Sequence, residues 1–163
     1  MSKSLKIDES EALRLYPTAS KEIQSIFEST FGKEFFKPKL ITEIVFDIET
    51  LCEYLGVDED SLFIFNENTK VLSKHERFIN ASNILPKVAE VYNEGTILNW
   101  KKTNEYKYLP YLNFFGGSAE VSFGGWSDSL RAPAGFYYKN DTLSRAAYKN
   151  FQKYFEDYWG EKV

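Results

Sequence analysis

Glu120 and Asp128 sit in an aromatic-rich stretch and are residue types that glycosidases use as paired acid and base. That chemistry needs two carboxyl groups about 5–10 Å apart, a distance that spacing along the chain does not set. His75 is the only histidine. It falls between Lys74 and Glu76 in the first turn of a predicted helix, a solvated setting, and no G-x-S-x-G elbow supplies it with a nucleophile. Cys52 is the single cysteine, so no intrachain disulfide forms, and its apolar position in IETLCEYLG marks a buried thiol. The run Asp58-Glu59-Asp60 lacks the alternating D-x-D-x-D-G pattern of a calcium loop, and no other cluster has metal-ligand spacing. Gly116-Gly117 and Gly124-Gly125 fit neither the phosphate loop nor the dinucleotide fingerprint; they suit tight turns, bulges or close backbone approach. No catalytic, cofactor or metal set is therefore assigned, and binding becomes the expected function class.

The residues that suit binding are aromatic. NWKKTNEYKYLPYLNFFGG, residues 99–117, interleaves rings with lysines. Trp100, Tyr106, Tyr108 and Trp126, with Arg131 as an anchor, are the candidate partner contacts, being types that interfaces favour. Tyr137 and Tyr138 are of the same kind. Phe114, Phe115, Phe123 and Phe136 are expected in the core. A second reading stacks bases on these rings and sets Lys101, Lys102 and Lys107 on phosphates. Three lysines flanked by Glu94 and Glu105 give a weak field for that purpose, so they read better as a solvated fringe.

The elements that must position these residues follow from periodicity and caps. Residues 1–12 are polar and expected to be loose. Thr18 or Ser20 caps a helix carrying Ile23, Ile26, Phe27 and Phe31, stopped by Gly32. LITEIVF reads as a strand or lead-in. Asp47 caps IETLCEYL, closed by Gly56. DEDSLFIFNENTKVL reads as loop or short strand. Ser73 and Glu76 form a capping box for a helix bearing Phe78, Ile79, Ile84, Leu85, Val88, Ala89 and Tyr92. Pro86 predicts a kink there, or two helices with the second starting near Asn83. Asn93-Glu94-Gly95 ends it. AEVSFGG and AGFYYK read as strands joined by WSDSLRAP. Asn140 or Asp141 caps a last helix with Leu143, Ala146, Ala147, Phe151, Tyr154, Phe155 and Tyr158 on its apolar face. This order predicts an α+β fold: N-terminal helices, a small antiparallel aromatic-rich sheet, and a C-terminal helix packed on it.

The 163 residues favour a single domain, with an N-terminal helical lobe over about 13–56 and an α+β core over about 73–160. A hydrophobic content of 43% is enough for a core, and no apolar run reaches membrane-spanning length, so a soluble cytoplasmic protein is expected. The net charge of −4 disfavours a general nucleic-acid binder. The charge is uneven: residues 1–60 carry 7 Lys/Arg against 13 Asp/Glu, while 61–110 carry 7 against 5 and 111–163 carry 6 against 6. An acidic N-terminal third attracts basic partners, including proteins that themselves bind nucleic acid.

KVAEVYNEGTILNWKKTNEYKYLPYLNF resembles the central motif of a family of small phage and prophage proteins of Bacteroidetes. The residues that carry the resemblance are Ala89, Asn93, Glu94, Gly95, Trp100, Asn104, Tyr106, Lys107, Tyr108, Pro110 and Tyr111. FYYKNDTLSRAAYKNFQKYFEDY, LYPTASKEIQSIFESTFGKEFF and IETLCEYLG resemble its other pieces more loosely. Pro86, residues 57–73 and the 125–133 loop depart from it. The resemblance implies a mobile-element origin and carries over no catalytic residues. It leads to the expectation of a phage- or prophage-encoded, non-enzymatic accessory protein that binds a host protein or nucleoprotein, such as an inhibitor of host defence of the anti-CRISPR kind. The alternative is a single-stranded DNA- or RNA-binding protein of phage replication, and a small enzyme is a third.

Overall fold

The computed structural model describes residues 7–67, 69–96, 98, 105–115, 118–126 and 136–162. The chain divides into two compact units, residues 1–39 and 40–163. The expected boundary near residue 56 therefore moves to 39/40. The reason is burial: Val45, Leu51 and Cys52 belong to the core built by the later helices.

The first unit contains α1 (Glu9–Leu15) and α2 (Lys21–Phe31), each followed by a 3-10 turn. The Asp8 carboxylate caps α1 by accepting from the Glu11 N–H, so residues expected to be loose form a helix. Ser20 caps α2 as its position suggests. Of the predicted apolar face of α2 only Phe27 is fully buried, while Ile23 and Ile26 are exposed. Phe36 gathers the aromatic cluster of this unit: it stacks on Tyr16 with centroids 4.1 Å apart and meets Phe27, Phe31 and Phe35.

The second unit holds α3 (Ile41–Ile44), α4 (Ile48–Leu55), α5 (Glu59–Leu62), α6 (Lys74–Tyr92), β1 (Lys107–Phe115), β2 (Ser118–Trp126) and α7 (Asp141–Trp159). LITEIVF is thus a short helix and a turn, and a helical turn also opens DEDSLFIF. Asp47, Ser73 and Asn140 cap α4, α6 and α7 as their sequence contexts predict. α6 runs through Pro86 as one helix. Ala81, Ile84 and Leu85 before the proline and Val88, Ala89 and Tyr92 after it enter the same core, so packing carries the helix past the missing hydrogen bond. α7 bends instead, at buried Phe151.

β1 and β2 form a two-stranded antiparallel sheet in which Tyr108 faces Gly125 and Leu112 faces Val121. α7 packs on it through Tyr148, which meets Phe123 edge-on, and Arg145, 4.4 Å above the same ring. The architecture is α+β with the C-terminal helix on the sheet, as the element order predicts. AGFYYK does not become a full strand: among its described residues only Tyr138 bridges to β1, exchanging both backbone bonds with Tyr108 at 2.9 and 2.8 Å.

The other side of that segment is taken by a side chain. Asn93, 4% exposed, donates Nδ2–H to the Tyr137 carbonyl (2.6 Å) and accepts the Lys139 N–H on Oδ1 (2.8 Å). Its neighbours Glu94 and Gly95 turn the chain with φ of 53° and 69°, and the Glu94 carboxylate meets Lys139 at 2.6 Å. Asn80 acts likewise on the connection after α5: Oδ1 accepts from Ile64 and Phe65, and Nδ2 donates to the Phe65 carbonyl. Buried carboxamides here stand in for strand neighbours, satisfying backbone groups that would otherwise be orphaned.

Candidate binding surfaces

The hairpin base is the first candidate surface. Side chains alternate across a strand, so Lys107, Leu109 and Tyr111 share one face and Tyr108, Pro110 and Leu112 the other. Glycines let rings lie against the backbone on both faces. A Cβ on Gly125 would stand 3.0 Å from Tyr108 Cε1 and 3.1 Å from Tyr106 Cδ1; on Gly124 it would stand 3.0 Å from Tyr111 Cε1 and 3.1 Å from Trp126 Cη2. Tyr111 and Trp126 meet edge-on at 5.3 Å.

The aromatic candidates separate by environment. Tyr106 is 56% exposed; Tyr108 and Trp126 are half-buried. Lys107 departs from the solvated fringe it was expected to join. It is fully buried, on the face of core residue Leu109, and its Nζ donates to the Glu105 carbonyl at 2.7 Å. It therefore offers no exposed ammonium to a phosphate or to a partner. Tyr137 and Tyr138 are core residues, and burial lifts the Tyr137 phenol to about 12. Phe136 is buried as expected and Phe123 half-buried, but Phe114 is 65% exposed near the hairpin tip. Trp100, Lys101, Lys102, Arg131 and Asp128 lie outside the described residues, as does the WSDSLRAP connection from Ser127 on. Glu120 is exposed on β2, His75 is exposed, and among the described residues no group of three or more His, Cys, Asp or Glu could hold a metal.

The second surface lies within the acidic N-terminal third. Residues 1–39 carry 7 Lys/Arg and 6 Asp/Glu, so the acidic excess of the first third belongs to residues 40–60. That segment has seven carboxylates and no Lys or Arg. Glu43, Glu49, Glu53, Asp58, Glu59 and Asp60 are exposed and Asp47 is half-buried. Among the described residues none of the seven has an ion-pair partner. Glu49 and Glu53 lie four apart on α4, on the side away from buried Leu51 and Cys52. Leu40, Ile44, Phe46, Tyr54 and Val57 are exposed within the same segment.

This surface rests on a fixed base. The Tyr92 hydroxyl donates to the Val45 carbonyl at 2.7 Å and accepts from Asn150, which also reaches the Thr42 carbonyl. Asn83 holds the Leu62 carbonyl at 2.7 Å. The unbalanced charge is felt inside: burial raises the Cys52 thiol pKa and the carboxylates of Glu59 and Asp58 raise it further. Burial raises the Tyr154 phenol, with Glu67 and Glu59 adding.

No family model matches this chain, and comparison with curated proteins and with solved structures gives no match. A cleft of about 740 Å³ between the start of α6 and the end of α7 serves as a contrast. Two of its cations have carboxylate partners, Arg77 meeting Asp157 at 3.0 Å and Lys153 meeting Glu67, and Lys74 reaches the Gly160 carbonyl. Among the described residues the carboxylates of the 40–60 surface have no ion-pair partner.

Proposed function

We propose that this chain is a non-enzymatic binding protein that takes a basic surface of a host protein or nucleoprotein onto the face made by α4 and α5. The observation that carries this reading is the segment 40–60, with seven carboxylates, no cation of its own and five exposed apolar side chains among them. Like charges held together without counter-charges work against the folded monomer, whereas a cationic partner turns the same field into attraction and faster association. Exposed apolar groups in the same segment add area that such a contact can desolvate.

The mobile-element resemblance supplies a setting. A phage- or prophage-encoded protein with this face would occupy the basic groove in which a host defence nuclease holds nucleic acid, an inhibitor of the anti-CRISPR kind. Direct nucleic-acid binding is less well supported. The 40–60 surface repels phosphates, and Lys107 is buried. Titration of the protein with fluorescent single-stranded DNA and RNA separates the two readings. The proposal expects no binding that strengthens as salt is lowered; salt-dependent binding would move the function to nucleic acid.

A further inference from the structure

The hairpin has two unlike edges. Tyr108 exchanges its backbone N–H and C=O with Tyr138, so these groups point away from β2. Hydrogen-bonded and non-hydrogen-bonded pairs alternate along an antiparallel ladder. With Tyr108 opposite Gly125, the register then turns the N–H and C=O of Ala119, Val121, Phe123 and Gly125 outward on β2. On β1 the corresponding residues beyond Tyr108 are Pro110, Leu112 and Phe114. Pro110 has no N–H to offer, and its ring obstructs pairing beyond the Tyr138 bridge. β2 carries no such protection: it has nine residues with no Pro, Lys or Arg and a single charge, Glu120. Among the described residues β1 is its only strand neighbour. Long unguarded edges of this kind are sites of strand addition.

We infer that β2 pairs antiparallel with β2 of a second copy of this chain about a two-fold axis at Ser122, giving a four-stranded sheet. β2 is complementary to itself in that register. Val121 falls opposite Phe123 of the partner subunit and Ala119 opposite Gly125 of the partner subunit. These are the outward residues, so every free N–H and C=O on the edge finds a partner. Glu120 falls opposite Gly124 of the partner subunit, which avoids a like-charge pair, and Trp126 falls opposite Ser118 of the partner subunit. Glu120 and Trp126 thus each meet a small residue, Val121 and Phe123 make apolar pairs, and Ser122 meets its own copy. The contact is isologous and closes. It also widens a two-stranded sheet, which alone is marginal. It is separate from the α4–α5 face.

Sedimentation equilibrium on the full chain tests this, with twice the 19.0 kDa chain mass expected. Val121→Pro removes an N–H that β1 does not use, so the variant should stay folded by circular dichroism and become monomeric. Ser122→Cys should form an intermolecular disulfide on mild oxidation, because facing Cα atoms at a non-hydrogen-bonded position are about 4.5 Å apart. Glu120→Cys should not, and the wild type, whose Cys52 is buried, is the negative control. A wild type that is monomeric at every concentration, a folded Val121→Pro that remains dimeric, or cross-linking through Glu120→Cys in preference to Ser122→Cys would overturn the proposal. If Val121→Pro fails to fold, the cysteine pair decides the matter.

Discussion

Asn93 grips the backbone beside Tyr137 with both ends of its carboxamide, donating to the Tyr137 carbonyl at 2.6 Å and accepting from the Lys139 N–H at 2.8 Å. Asn93→Ala removes both hydrogen bonds, one buried and one part-buried, and should cost about 2–4 kcal/mol by urea denaturation. Asn93→Asp keeps the acceptor but sets a buried carboxylate against a carbonyl. Burial raises the pKa of such a group, so its deficit should be largest at neutral pH and shrink as pH falls.

Glu76 gives the fold an acid-sensitive cap. Lys70 and the Ser73 backbone and hydroxyl hold its carboxyl at about 2, against an ordinary 4.5. A depressed carboxyl contributes stability that is fully present above 4.5 and lost as pH falls towards about 2. Glu76→Gln should lower the urea midpoint at neutral pH and flatten its decline across that window. An unchanged decline would show that the capping box contributes nothing to acid sensitivity.

Gly125 is held by its neighbours' rings rather than by a turn. Gly125→Val should displace Tyr106 and Tyr108 and destabilise the protein by about 1–3 kcal/mol, read as a lower Tm.

Glu53→Lys should separate function from stability. It replaces a like-charge i, i+4 pair on α4 with an opposite-charge pair to Glu49, so the Tm should hold or rise, by about 0.2–0.5 kcal/mol of stability. Binding should weaken. A surface that gains stability when it loses activity is one kept for binding.

The caps were readable because they are local: Ser20, Asp47, Ser73 and Asn140 each bond to a backbone N–H three residues on. The Asn93-Glu94-Gly95 ending was readable as a helix stop, but the Asn93 grip was not, because its partners lie more than forty positions away. The same holds for Asn150, and the partners of Asn80, 15 and 16 positions back, are likewise beyond the reach of local patterns. Lys107 was misread for a related reason: its charge suggested solvent, whereas the strand face it occupies is set by Leu109 and the core. The acidic excess is present in the composition of residues 1–60, but its confinement to 40–60 follows only once the balanced first unit is set apart. What the sequence lacked was the division at 39/40.

The most direct test of the proposed function compares immobilised wild type with the Glu49→Lys/Glu53→Lys double variant in capture from bacterial lysate. Bound proteins are identified by mass spectrometry at low and at physiological salt. Wild type should enrich a basic protein or nucleoprotein that the folded variant loses, with capture weakening as salt rises. Equal capture of the same proteins by both, or no capture by a folded wild type, would contradict the role assigned to the α4–α5 face.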